Sequence, residues 1–194
     1  MKRTVFSRIV LVLLGLLLLI GVIAIISSIG RALFGGGSSS APNAGRTALL
    51  TNTADMSVEL NIRGPIVADE SFTTVNMRIS SRNRTMTRHS GYSLHVADSI
   101  SLPNTYRAYE EFIHALDRAG FMNGTAATDP FATTGMCATG RLYSLRVRHA
   151  DQVVKELWTT SCRGINGNLR ADLQSIHELF AVQIPGGAEV RAGF

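Results

Sequence analysis

The sequence predicts an α+β fold: a single N-terminal transmembrane helix, then an antiparallel sheet domain with two packed amphipathic helices, in the order β-β-β-α-β-β-α. Three observations lead there. Near the N-terminus lies one long apolar run, further on apolar residues alternate in several short segments, and two segments carry apolar residues three and four positions apart.

The apolar run, Ile9 to Ile26, holds no charged or polar side chain over 18 residues. As a helix it covers about 27 Å, enough to cross a hydrocarbon core. A cleaved signal peptide is the alternative, but its apolar region is about 7 to 15 residues long and ends at a small-residue site. No clear site of that kind follows here. Lys2, Arg3 and Arg8 precede the run and Arg31 follows it, so the N-terminus is expected in the cytoplasm and the remainder outside. The expected organisation is a basic N-terminus at 1–8, a signal anchor at 9–30, a Gly/Ser-rich tether at 31–53, an extracytoplasmic domain at 54–186 and a tail at 187–194.

Within the domain, Val58, Leu60 and Ile62 alternate with Glu59 and Asn61, the period of a half-buried strand. Val75, Met77 and Ile79 repeat the pattern, and Tyr92, Leu94 and Val96 give an expected third strand. Tyr106, Tyr109, Phe112, Ile113 and Leu116 then share one helical face, with Asn104 or Thr105 as the cap and Gly120 as the stop. Residues 122–136 show no period and read as a loop. A hairpin follows, from Tyr143, Leu145 and Val147 through a tip at His149 to Gln152 and back over Val153 to Thr160. Leu169, Leu173, Ile176 and Phe180 predict the second helix, capped by Asn168.

The net charge is +5, but four cations flank the apolar run; without them 15 remain against 14 acids. A nucleic-acid-binding face needs concentrated positive charge, so no nucleic acid is expected as a partner. The densest local charge is Arg78, Arg82, Arg84 and Arg88 beside His89, with no acid between them. These four arginines are the candidate patch for an anionic partner, because the guanidinium fork matches phosphate and carboxylate. A plainer reading is a solvated hairpin whose arginines meet acids elsewhere in the domain.

Cys137 and Cys162 are the two cysteines. In an oxidising compartment they are expected to form a disulfide across the base of the hairpin; two free thiols are the alternative, and without C-x-x-C spacing a redox pair is not expected. Neither a metal site nor a cofactor is expected. The histidines at 89, 95, 114, 149 and 177 sit in no catalytic motif, and His114 and His177 read as partly buried helix residues. His95, Asp98 and Asp129 are the set whose convergence in space would make a hydrolytic site.

The short basic leader and compact anchor are bacterial in type, and the stretches from Cys137 and up to Cys162 resemble exported bacterial proteins, a likeness that brings no activity with it. The expectation is therefore a membrane-anchored, extracytoplasmic binding or interaction module of a cell envelope. Its partners would be the bilayer, through the N-terminal helix, and an anionic envelope component or protein. An envelope-anchored hydrolase using a His/Asp site is the alternative.

Overall fold

Strand-forming alternation and two capped helical stretches build an α+β fold, an antiparallel six-stranded sheet with three helices. A computed structural model describes residues 44–51, 54–126 and 133–185. In chain order the elements are α1 (Ala44–Leu50), β1 (Met56–Arg63), β2 (Thr73–Ser80), β3 (Asn83–Ser90), β4 (His95–Pro103), α2 (Tyr106–Arg118), β5 (Leu142–His149), β6 (Gln152–Thr160) and α3 (Leu173–Gln183). The strands lie in the order β4-β3-β2-β1-β5-β6. Strands β1 to β4 form a meander; α2 then separates it from the β5–β6 hairpin, which pairs with the other edge of β1.

The alternation in β1 separates two faces. Val58 and Leu60 turn inward beside Met77 and Ile79 of β2 and Leu145 and Val147 of β5, all fully buried. The helices supply Leu49 from α1, Tyr109, Phe112, Ile113 and Leu116 from α2, and Ile176 and Phe180 from α3. Phe180 meets Phe112 edge-on with ring centroids 5.3 Å apart, a favoured aromatic geometry. Ser57, Glu59, Asn61 and Arg63 alternate onto the opposite, polar face.

The expected first helix forms as α2. Thr105 is its cap, accepting from the Ala108 amide, and Gly120 ends it at φ 77°, a left-handed conformation that glycine adopts without penalty. Tyr106 does not join the apolar face; it is half exposed.

Four expectations need correction. The third strand is not Tyr92 to Val96: Tyr92 and Leu94 lie in a turn, and the sheet continues through β3 and β4. Strand β3 was hidden because its inward positions are Arg84, Met86 and Arg88, which break the apolar period, while pairing on both sides holds it. The second helix starts at Leu173, not Leu169, and its cap is Asp172, whose carboxylate accepts from the Gln174 and Ser175 amides. The Asn168 side-chain Oδ1 instead accepts from the Trp158 amide. Lastly, part of the expected tether is folded: in α1, Leu49 is buried, and Arg46 forms an ion pair with Asp117 at 2.6 Å. The expected anchor at 9–30 and tail at 187–194 lie outside the described residues. Among those described, no helix is long and apolar enough to cross a membrane.

Candidate functional site

The polar face of the sheet carries charges that are used up internally. Glu59, Arg146 and Glu156 stand opposite one another across β1, β5 and β6. Arg146 reaches Glu156 at 2.9 Å and Glu59 at 3.8 Å, and Arg148 reaches Glu59 at 3.4 Å. Burial works against the Arg146 charge, but the hydrogen bond to Glu156 and the two carboxylate charges outweigh it and raise its pKa. This network neutralises itself in the middle of the sheet.

One end of the sheet is different. The β2–β3 turn and the β5–β6 tip flank the start of β1 and enclose an open concavity of about 420 Å³. Its lining includes Ser57, Arg78, Ser80, Arg82, Asn83 and Thr85, with Asp55 and Asp151 on the side of the β1 lead-in and the tip. Arg78 extends from β2 across β1, donating from Nε to the Ser57 hydroxyl at 3.1 Å and from Nη2 to the Ala150 carbonyl at 3.2 Å. Those bonds fix its guanidinium against the tip, a two-residue turn that Ala150 closes at φ 50°.

The β2–β3 turn is organised by Ser80, whose hydroxyl donates to Asn83 Oδ1 at 2.7 Å and accepts from the Arg82 and Asn83 amides. This sets the backbone of Arg82 while its exposed side chain stays available. Among the described residues, none pairs with the Arg82 guanidinium or with the carboxylates of Asp55 and Asp151.

The four arginines of the candidate patch therefore divide. Arg78 and Arg82 meet at the concavity. Arg84 turns to the helical side, donating to Pro103 and, from Nη1, to the Gln183 carbonyl at 3.1 Å. There it sits against the negative end of α3 and has a structural role. Arg88 shares the inward face with Arg84, opposite Val75 and Asp98 in the backbone register. Ser57, Ser80, Asn83 and Thr85 were missed as site residues because small polar side chains carry no signal of their own. Asp55 and Asp151 had a weak one: both lie in turns that bring separate elements to one end.

Of the three residues weighed for a hydrolytic site, two fall on one strand. His95 and Asp98 are exposed along the edge strand β4, and Asp129 lies outside the described residues. His177 is buried on α3, whereas His114 is exposed on α2. Among the described residues, no three metal-ligating side chains gather.

Cys137 and Cys162 form the expected disulfide, with Cα atoms 5.5 Å apart just beyond the ends of β5 and β6. Gly140 packs against it so closely that an added Cβ would lie 2.8 and 3.0 Å from the two sulfurs. No protein-family model, curated protein or solved structure matches this chain. The concavity must accordingly be interpreted through its own chemistry.

Proposed function

We propose that this chain is a membrane-anchored, extracytoplasmic binding module of a bacterial-type cell envelope, engaging an anionic envelope component at the concavity. The observation that carries this reading is the meeting of Arg78 and Arg82 with the hydroxyls of Ser57, Ser80 and Thr85 around one open space. The guanidinium forks supply the donors that a phosphate or carboxylate requires. The apolar run at 9–26, with its cationic flank, supports the anchoring, and the disulfide suits an oxidising compartment.

The test is thermal stabilisation of the full-length chain, held in phosphatidylcholine nanodiscs, by inorganic phosphate. A ligand that binds the folded state raises Tm with its concentration. The shift should shrink as sodium chloride rises from low to physiological strength, and Arg78→Ala with Arg82→Ala should abolish it. A wild-type chain whose Tm ignores phosphate at low salt overturns the binding site. For the address, a membrane-impermeant thiol reagent applied to reduced, intact cells should label Cys137 and Cys162; protection from it overturns the extracytoplasmic assignment.

A further inference from the structure

Resting on that reading, we infer that the concavity takes a zwitterion: a phosphate or carboxylate joined by a short spacer to a primary ammonium. Charges of both signs line the same space, and they come from different elements. Arg78 and Arg82 belong to the β2–β3 hairpin, whereas Asp55 lies in the lead to β1 and Asp151 in the β5–β6 tip.

These acids do not neutralise the arginines. No ion pair within 4 Å joins either carboxylate to Arg78 or Arg82 among the described residues, although short ion pairs do form elsewhere on the sheet, as between Arg146 and Glu156. A site shaped for a bare polyanion would leave both carboxylates facing a like charge, which weakens binding and selects against such partners.

The acidic side is held in place by its backbone. The Ala150 amide donates to the Asp55 carbonyl at 2.8 Å, and Arg148 Nη2 donates to the Asp151 carbonyl at 2.6 Å. The cationic side is held by the two bonds of Arg78 and by the Ser80 turn beneath Arg82. The Arg78 guanidinium and the backbone beneath Arg82, Asp55 and Asp151 are thus set before a ligand arrives, which lowers part of the ordering cost of binding. At about 420 Å³ the space is at the small end of ligand sites and suits a head group or a small molecule. The anionic end of the ligand would accept from Arg82 and Arg78, and its ammonium would donate to Asp55 and Asp151.

Phosphoethanolamine has this chemistry, free in solution or as a lipid head group. Calorimetry on the full-length chain in phosphatidylcholine nanodiscs, with phosphoethanolamine, inorganic phosphate and ethylammonium as titrants, tests it. Phosphoethanolamine should bind more tightly than phosphate by about fivefold for each carboxylate engaged, the upper range for an exposed ion pair, and ethylammonium should bind least. Asp55→Asn with Asp151→Asn should remove that advantage and strengthen phosphate binding. Added phosphatidylethanolamine vesicles that displace phosphoethanolamine assign the group to a lipid; the same vesicles without effect assign it to a free molecule. If wild type binds phosphate and phosphoethanolamine equally, and the two asparagines change neither, the zwitterion is overturned while the anion site stands. If nothing binds at low salt, both fall.

Discussion

The two ends of the sheet handle their polar groups in opposite ways. At the disulfide end, the chain closes on itself: the Ile66 amide donates to Ala138, the Tyr92 hydroxyl to Val67, and Arg63 to the Met136 carbonyl, each at 2.7 Å. Tyr92 stacks on Phe72 with centroids 4.2 Å apart, and Cys137 and Cys162 staple the loops that follow. At the other end, two tight hairpin turns stand apart, and Arg82, Asp55 and Asp151 keep their charges for solvent or a ligand. The difference separates polar groups whose bonds hold the fold from charged groups that have no bonded partner among the described residues.

That contrast predicts an ordered set of effects. The largest belongs to the staple: Cys137→Ala with Cys162→Ala should lower stability by about 3.5 kcal/mol, the chain-entropy value for a loop of this size, as read by urea denaturation. Phosphate binding at the distant concavity should survive in the folded fraction. A loss of binding without unfolding would show that the two ends are coupled and would break the comparison. Gly140→Ala comes next, at about 1 to 3 kcal/mol, because its Cβ would press on both sulfurs and lie 2.6 Å from the Ser161 hydroxyl. Removing the sulfurs first should reduce that cost, and strict additivity of the variants would contradict the packing account.

A middle-sized effect concerns acid. Arg46, through its hydrogen bond, lowers the Asp117 pKa, and bonds from the Ser175 hydroxyl and the Ser175 and Gln174 amides lower that of Asp172. With folded pKa values below the unfolded ones, both contribute stability that is present above the ordinary aspartate range, near pH 4, and is lost as pH falls through the depressed values. Thermal melts between pH 7 and pH 2 should show this decline, and Asp117→Asn with Asp172→Asn should flatten it. An unchanged acid limb would place the acid-sensitive groups elsewhere.

Much of the fold was legible in the sequence because apolar period and burial coincide there. Val58 to Ile62, Val75 to Ile79, the Tyr109 to Leu116 face and the β5–β6 hairpin all stand where their spacing put them. Strand β3 was illegible for a physical reason: its pairing comes from neighbours on both sides, and long arginine stems replace apolar side chains on its inward face. Helix α1 was hidden by its brevity beside a Gly/Ser-rich stretch. The proposed site was only partly marked in the sequence: clustering singled out four arginines, and spacing could not tell Arg78 and Arg82 from Arg84 and Arg88. Hairpin geometry, which divides alternate residues between two faces, makes that distinction.

The smallest effect on stability is expected at the open end. Arg82→Ala, Asp55→Asn and Asp151→Asn should each stay within about 0.5 kcal/mol of wild type, as surface changes without structural partners do. A larger loss in urea denaturation would make these charges part of the fold rather than of a binding site. The most direct measurement is therefore a titration of the full-length chain with phosphate, followed through the 15N signals of the arginine Nε groups. The Arg82 and Arg78 signals should move together and saturate, while those of Arg84 and Arg146, held by Gln183 and Glu156, stay still. Uniform, unsaturated drift of all four would contradict a built anion site at this end of the sheet.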